Sequence, residues 1–487
     1  MDSGGGRRIV IEPLTRVEGH GKVTILLDAD RHVASARLHI VEFRGFERFV
    51  QGRPIQEVPV LVQRLCGICP VSHHLCAAKA VDGIFGIDRL TPTGEKMRRL
   101  MHYGQIFQSH ALHFFYLAAP DLLFGFDAPA GRRNIVGVAA AHPELALQGV
   151  KMRRFGQEIV QATAGKRIHG TGAVPGGINK NLSLAEREPL LREIEGMLAA
   201  SRQAVGLVRD LALRELESFA AFGAFASHHV SLVRADGAME LYDGKLRAID
   251  GRGEKVLDQI DPLDYLGVLA EEVRPWSYMK FPYLKQAGAE DGWFRVGPLA
   301  RVNTCDFIPT PEAEAARRDL LARSATSVDG RGPCNLTMAY HWARMIELLH
   351  AAEVIARLLE DPDLQGTDLV APPGVRRAEF AAMLEAPRGT LTHHYRVDEN
   401  ERVTMANLIV STTCNNEAMN RTVAEIAERT LVGEATIDEV LLNRIEVGIR
   451  AYDPCLSCAT HALGAMPLEV TLEGPDRSVL DRRTRPS

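Results

Sequence analysis

The stretch MAYHWARMIELLHAAEVIARLLEDP, residues 338–362, decides the fold class. Met338, Trp342, Met345, Leu349, Ala352, Ile355 and Leu359 recur at helical spacing, and Pro362 stands just past the end. Leu190, Leu191, Ile194, Met197, Leu198, Val205, Val208 and Leu211 repeat the pattern behind a capping box, Ser183-Leu-Ala-Glu186. The uncharged run His102–Pro120 reads as a buried core helix, although it carries Gln105, Gln108, Ser109, His110 and His113. Long helical patterns dominate from about Glu95 onward. Strand patterns are fewer. Val23–Leu27 and Val33–Val41 flank the hairpin residues Asp28-Ala29-Asp30-Arg31, and shorter pieces lie around Met239–Ile249, Val403–Ser411 and Leu468–Leu472. The predicted fold is α+β and predominantly helical, a large helical-bundle core with small peripheral β-sheets.

Composition narrows the function classes. The 487 residues are 46% apolar and 24% charged, with a net charge of −5. These are globular proportions with no basic footprint for nucleic acid. No run of about 18 apolar residues predicts a membrane span. The start, MDSGGGRRIVIEP, lacks the apolar stretch of a signal peptide. Eight cysteines are too sparse for a disulfide scaffold. The expected location is cytoplasmic, with cysteines free for metal or redox work.

Four cysteines form two C-x-x-C pairs, Cys66-Gly-Ile-Cys69 and Cys455-Leu-Ser-Cys458, one near each end of the chain. Each pair is followed by a histidine, His73 or His461. A C-x-x-C loop turns two thiolates toward one ion, so two loops supply a four-thiolate site. Soft thiolates select zinc, iron–sulfur clusters or nickel over magnesium. A structural zinc staple fits the donor set, but zinc ribbons usually close over a short segment. A redox disulfide pair fits less well, because no thioredoxin-like βαβ unit surrounds either motif. Cys76, Cys305, Cys334 and Cys414 form no further cluster by spacing and read as small buried apolar residues.

The strings around the pairs, RLCGICPVSH (64–73) and DPCLSCATH (453–461), resemble the two motifs of the large subunit of nickel–iron hydrogenases. Arg16-Val-Glu-Gly-His20, Arg44-Gly-Phe-Glu47 and Pro387-Arg-Gly-Thr-Leu391 resemble that family too. The motifs run in order over essentially the whole chain. In strings such as SHHLCAAKA, WSYMKFPYLK and AYDPCLSCATHALG the chain is most similar to the NAD-reducing, soluble bidirectional group.

The resemblance implies a site residue by residue. Cys66 and Cys455 would be terminal nickel ligands. Cys69 and Cys458 would bridge nickel to an iron carrying carbon monoxide and cyanide. Arg388 would stand above the open metal position, as electrostatic partner or as base. Pro387, Thr412 and Thr413 would cradle the cyanides. Cys455 would take the first proton of dihydrogen and Glu18 would relay it. Asp121 and Asp453 would form an acidic canopy near the arginine. Glu47, His461 and a carbonyl near Leu408 would hold magnesium, and His73 would hydrogen-bond a cysteine sulfur. The implied reaction is reversible heterolytic cleavage of dihydrogen to protons and electrons.

The chain shows no further cysteine group with iron–sulfur spacing, no P-loop and no dinucleotide fingerprint, since Gly170-Thr-Gly172 runs into Val174-Pro175. Electrons are therefore expected to leave through other polypeptides. The family supplies a small subunit with an iron–sulfur cluster. In this group it also supplies flavin- and NAD-binding diaphorase subunits. It further implies nickel-insertion factors and a maturation protease that removes residues 462–487, leaving residues 1–461 as one domain. Leu468, Val470 and Leu472 alternate like a strand, which is expected to pair with the body and hold the last C-x-x-C open for metal loading. A metal-free scaffold, like the relatives within respiratory quinone oxidoreductases, would have lost the thiolates that all remain here. A deazaflavin-linked or viologen-reducing relative would differ in its partner chains.

Overall fold

The computed structural model describes residues 7–12, 16–19, 21–28, 32–40, 45–129, 131–220, 222–274, 276–324, 332–431, 439–456, 468–473 and 479–485. Strands β1 (Arg7–Glu12), β2 (Gly21–Leu27) and β3 (Val33–Ile40) come first. Helices α1 (Pro70–Ile84), α2 (Pro92–Leu112), α3 (Pro143–Ala164) and α4 (Leu184–Arg214) follow. Strands β4 (His228–Val233), β5 (Lys245–Ile249), β6 (Lys255–Ile260) and β7 (Phe294–Arg295) precede helices α5 (Pro298–Thr304) and α6 (Tyr340–Glu360). Strands β8 (Glu379–Ala386), β9 (Gly389–Val397) and β10 (Val403–Ile409) lead to helices α7 (Asn416–Thr430) and α8 (Glu439–Ala451). Strands β11 (Leu468–Glu473) and β12 (Val479–Arg485) are last.

Helices α2, α3, α4 and α6 pack into the core, with α2 against α3 and α6, and α6 against α4. The α4 capping box is present, with the Ser183 hydroxyl accepting from the Glu186 N–H and the Glu186 carboxylate accepting from the Ser183 N–H. Helix α6 starts at Tyr340, two residues later than its periodicity predicts, because Thr337–Ala339 is a 3-10 turn. It is buried on nearly every side. Its second, polar face therefore needs internal partners. His350 meets Thr310 at 2.8 Å, and Glu353 accepts the backbone N–H groups of Glu312 and Ala313 at the start of the Pro311–Ser324 helix.

The helical region begins earlier than Glu95, at α1. The expected His102–Pro120 helix is also not uniform. An α segment ends at Leu112, a π-helical turn covers His113–Ala118, and a short helix runs Ala119–Phe124. The wider turn accommodates Pro120, which lacks an N–H and crowds the preceding turn.

The sheets are small, as predicted, but not all are peripheral: β8 and β9 are buried along almost their whole length. One has the order β12-β11-β1-β2-β3, another β7-β4-β5-β6 and a third β8-β9-β10. Strands β2 and β3, which flank the hairpin read at Asp28–Arg31, pair antiparallel with Val23 opposite Leu38, and residues 29–31 of that turn lie outside the described residues. The Met239–Ile249 piece narrows to Lys245–Ile249, and Val403–Ser411 ends at Ile409. The tail strand β11 pairs antiparallel with β1, Ile9 opposite Leu472, and extends the N-terminal sheet. No helix among the described residues is long and apolar enough to cross a membrane.

Candidate metal centre

The two ends of the chain meet at the cysteines. Cys66 follows a 3-10 turn in extended backbone, and Cys69 is the N-cap of α1, with Pro70 at the first helical position. This folds the loop so that the Cys69 N–H donates to Cys66 Sγ at 2.9 Å, and the helix N-terminus favours thiolate charge. Two side chains of α2 hold the loop from behind. Gln105 and Gln108 both donate to the carbonyl of Ile68, at 2.9 and 3.2 Å. From the other end, Cys455 pairs with Glu18 in a parallel bridge, its N–H donates to Thr412 Oγ1 at 3.0 Å, and the Leu456 N–H donates to the Glu18 carbonyl at 2.8 Å.

Cys66, Cys69 and Cys455 thus form a buried triangle with all sulfurs within 4.8 Å of one another, Cys66 and Cys455 being 3.4 Å apart. Metal–sulfur bonds of about 2.3 Å span such a triangle. Hydrogen bonds in which the Cys69 thiol donates to the Cys455 and Cys66 sulfurs, then burial, push that thiol well above its ordinary range. Crowded, buried thiols keep their protons unless a cation replaces them, so the donor set fits a soft metal. Cys458 and His461 lie outside the described residues.

Cys69 and Cys455 line a cavity of about 180 Å³ together with His73, Arg388, Thr412 and Thr413. Arg388 sits with Pro387 in the two-residue turn between β8 and β9, where Ala386 faces Gly389. Its Nε donates to the Asp453 carbonyl at 2.6 Å and its Nη2 to Asp453 Oδ1 at 3.0 Å. Burial alone would lower the guanidinium pKa. Asp453 and the three cysteines outweigh burial and hold it well above its ordinary value. Asp453 is held in left-handed backbone, φ 54°, a conformation costly for a side-chain-bearing residue. Burial raises its carboxyl above the usual range against the pull of Arg388.

Asp121 faces other arginines than Arg388. Its carboxylate pairs with Arg16, Arg133 and Arg450, and no contact with Arg388 occurs among the described residues. Burial would raise its pKa, but these arginines, Arg450 foremost, bring it below the ordinary carboxylate value. The π-helical turn before it exposes the Leu117 carbonyl to Arg16 at 2.9 Å, which draws Asp121 toward the arginines. Asp453 alone of the two canopy acids meets Arg388.

His73 lines the cavity and, at 3.2 Å, meets His393, which hydrogen-bonds the Tyr395 hydroxyl at 2.7 Å. Burial lowers the His73 pKa, opposed by Cys66. Glu18 is half-buried and lines a second cavity, about 290 Å³, with Gln105, Gln108 and Arg153. Glu47 adjoins Leu408, but through the Leu408 N–H, which donates to Glu47 Oε1 at 3.0 Å. Lys280 lies 3.3 Å from Glu47, 3.2 Å from Glu271 and 3.4 Å from Asn407. Glu271 Oε1 is buried with no partner among the described residues, a hard oxygen that suits magnesium. Cys76, Cys305, Cys334 and Cys414 are buried, as read, and burial pushes the Cys76 and Cys305 thiols up to about 12 and 11.

Sequence reasoning missed His393, Lys280, Glu271 and the role of Gln105 and Gln108. Only the glutamines left a trace, as two amides spaced one helical turn apart in an otherwise buried helix.

Comparison with known proteins agrees with this arrangement. The model of the nickel-dependent hydrogenase family matches residues 44–127 and 239–461, and a HoxL-like model matches residues 8–43. The beta subunit of the NAD-reducing hydrogenase HoxS of Cupriavidus necator is 49% identical, the match covering 98% of this chain and 100% of that one. An F420-non-reducing hydrogenase chain of Methanothermobacter thermautotrophicus is 40% identical over 96% of this chain and 97% of its own. The crystal structure of an NAD+-reducing [NiFe]-hydrogenase in the H2-reduced state superposes with a TM-score of 0.89 at 57% identity, covering 94% of this chain and 100% of that one. With thiols from both C-x-x-C arms gathered beneath a buried arginine, and with this similarity along almost its whole length, the chain belongs to the nickel–iron hydrogenase large-subunit family.

Proposed function

We propose that this chain is the catalytic subunit of an NAD(P)-linked hydrogenase and cleaves dihydrogen reversibly into protons and electrons. The observation that carries the reading is the buried Cys66–Cys69–Cys455 triangle closed over by Arg388 and Asp453. With Cys458, these thiolates would hold nickel and iron. When bound, the two metals, with carbon monoxide and cyanide on iron, supply the Lewis-acid and redox chemistry.

The chain's own residues do the rest. Arg388 supplies a fixed positive charge beside the thiolates. Its raised pKa and the two hydrogen bonds it donates to Asp453 support an electrostatic role over that of a base. Thr412 and Thr413 border the pocket for the cyanides, with Pro387 in the adjoining turn, and Thr412 also fixes the Cys455 backbone. Cys455 sulfur accepts the proton, and Glu18, its backbone bridge partner, passes it toward the Gln105–Gln108 cavity. Asp121 acts at a distance, holding Arg16 and Arg450 and so the 16–19 segment that bears Glu18. His73 orients a cysteine sulfur. Glu47, His461 and the Leu408 carbonyl hold magnesium, with Glu271 and Lys280 alongside.

Electrons pass first to a small subunit with an iron–sulfur cluster, then to flavin- and nicotinamide-binding diaphorase subunits. The C. necator relative, a subunit of an NAD-reducing hydrogenase, supports nicotinamide as the electron acceptor; the location we assign is cytoplasmic. Residues 462–487 are a maturation extension. The pairing of β11 with β1 supports its role as a tether that keeps the 457–467 segment open until nickel-insertion factors have acted and a protease has cut after His461.

The test is metal analysis and infrared spectroscopy of the chain purified with its partners, plus the mass of its C-terminus. Near-equal nickel and iron in excess over zinc, cyanide and carbonyl bands, and a chain ending at His461 are expected. Zinc alone, with a silent infrared window in a fully processed chain, would overturn the reading in favour of a structural staple. Normal nickel incorporation by a chain lacking 462–487 would overturn the tether.

A further inference from the structure

Arg301, on α5, is a fully buried arginine far from the cysteines in sequence and outside the chemistry described above. Its guanidinium makes two bonds to Glu347, at 2.6 and 2.5 Å, and one to Glu385 Oε2 at 2.6 Å. Its remaining bonds go to backbone. Nη1 donates to the Ala386 carbonyl at 3.1 Å and Nη2 to the Pro387 carbonyl at 3.3 Å. These carbonyls belong to the two residues immediately before Arg388. The other oxygen of Glu385 takes the Thr390 hydroxyl at 2.7 Å and the Leu232 N–H at 2.9 Å, which closes the hairpin from its far side. Glu347 also receives His110, the neighbour of Ser109, which lies 3.5 Å from Arg388.

The same turn is fitted against the residues that lead into α5. A Cβ at Gly389 (φ 136°) would fall 2.2 Å from Val296 Cγ2, and one at Gly297 (φ 95°) would fall 2.9 Å from the Arg388 carbonyl. Segment 296–301 is thus a mould for the turn, and Arg301 is its only guanidinium, a rigid fork that reaches two carboxylates and two carbonyls together. A lysine at this place keeps the charge and loses the fork.

We propose that Arg301 is a positioning residue that sets the Ala386–Gly389 turn, and through it the height and direction of Arg388 and Pro387 over the thiol triangle. This rests on the reading of Arg388 as the fixed charge of the site. The bland alternative is a buried ion pair that only holds helices together, as many do. The two differ in what a conservative change does. If Arg301 acts through Arg388, its loss is felt at the site while the metal stays bound. If it is only glue, its loss is felt as lower stability and lower metal content in proportion.

The test is a double-mutant cycle on the holoenzyme with Arg301→Lys and Arg388→Lys. Arg301→Lys is expected to lower kcat for dihydrogen oxidation by roughly tenfold to a hundredfold, the scale of small misplacements. Nickel content should hold, KM should stay within about twofold, and the infrared bands should shift. In the Arg388→Lys background the same change should cost less than about twofold more, because the two act as one unit. In the metal-free full chain, amide hydrogen exchange of segment 385–390 should quicken. Independent, multiplying losses, or a loss that tracks missing nickel with unmoved infrared bands, would overturn the inference. If Arg388→Lys alone keeps full turnover, the reading of Arg388 fails, while quickened exchange at 385–390 still reports the clamp. Should Arg301→Lys yield no folded enzyme, Thr390→Val replaces it. It removes one donor to Glu385 and is expected to shift the infrared bands with nickel retained, and unmoved bands would overturn the inference.

Discussion

The two cysteine arms reach the same point by different means. The N-terminal arm is part of a rigid element: Cys69 caps α1, Cys66 accepts the Cys69 N–H, and two glutamines of α2 grip the Ile68 carbonyl between them. The C-terminal arm hangs from the end of α8. It turns through the left-handed Asp453 and is fastened by Thr412 and the Glu18 backbone, with a strand pair holding the chain again beyond it. One arm is preorganised by the core, and under the maturation proposal the other is laid in last. A metal site that must be loaded needs one fixed wall and one that can be delivered. The sharpest test of that contrast is Cys66→Ser against Thr412→Val. Removing a thiolate from the fixed wall should abolish nickel retention and activity outright while the fold persists, measured by metal content and circular dichroism. Thr412→Val should leave the metal bound once loaded, slow loading, and shift the cyanide bands of the pocket it borders. Equal loss of bound nickel in both would break the contrast.

Next in size is the charge above the triangle. Arg388→Lys keeps a cation but loses the paired bonds to Asp453, and kcat should fall roughly a hundredfold with nickel retained. Unchanged kcat would mean that any cation suffices there.

Much of this was legible in the sequence, for definite reasons. The C-x-x-C pairs, the α4 capping box and the helical spacing of α6 are local patterns, and local patterns survive in one dimension. Glu18 and Glu47 were reachable because each sits in a string beside a motif. What was hidden is what depends on distant partners. His393 meets His73 and Lys280 meets Glu47 only because separate elements fold together. Nothing within their own segments marks either. The partners of Asp121 were hidden for the same reason: Arg16 and Arg450 come from opposite ends of the chain. Strands β8 and β9 carry Glu385, Thr390, His393 and His394 toward the interior, so they lack the apolar alternation that identifies a strand. The polar face of α6 shows the converse, with charges that look solvent-facing yet meet partners inside.

Acid should loosen the fixed arm. His74 of α1 sits between the Pro59 carbonyl, 2.8 Å from Nδ1, and the Ala173 N–H, which donates to Nε2 at 3.1 Å. Only the neutral imidazole satisfies both, and burial lowers its pKa to about 4. The unfolded chain, with an ordinary histidine near 6.5, binds this proton first. Its stabilising share is therefore whole above about pH 6.5 and is lost as pH falls toward 4, by up to ~1.4 kcal/mol per pH unit. Urea midpoints of the full chain should fall over that window and hydrogen exchange in α1 should rise. A midpoint independent of pH between 6.5 and 4 would contradict the assignment.

The smallest expected effect is also the most specific to the contrast between the arms. Gln105→Leu removes one of two donors to the Ile68 carbonyl and replaces it with a side chain of similar size. Because Gln108 still reaches the same oxygen, that carbonyl is not left bare, and the cost should be about 1 kcal/mol, the ordinary net worth of one hydrogen bond. Gln105→Leu with Gln108→Leu strips it completely, and a buried acceptor with no donor costs more than the two single changes together. If the loop is preorganised by these amides, the double variant should bind nickel more weakly and lose turnover several-fold, whereas each single variant stays near the parent. If α1 and the Cys69 N–H bond to Cys66 suffice to hold the loop, the double variant will lose stability without losing nickel. The rigidity of the first arm would then belong to the helix cap alone, and the glutamines would serve the cavity beside Glu18 instead.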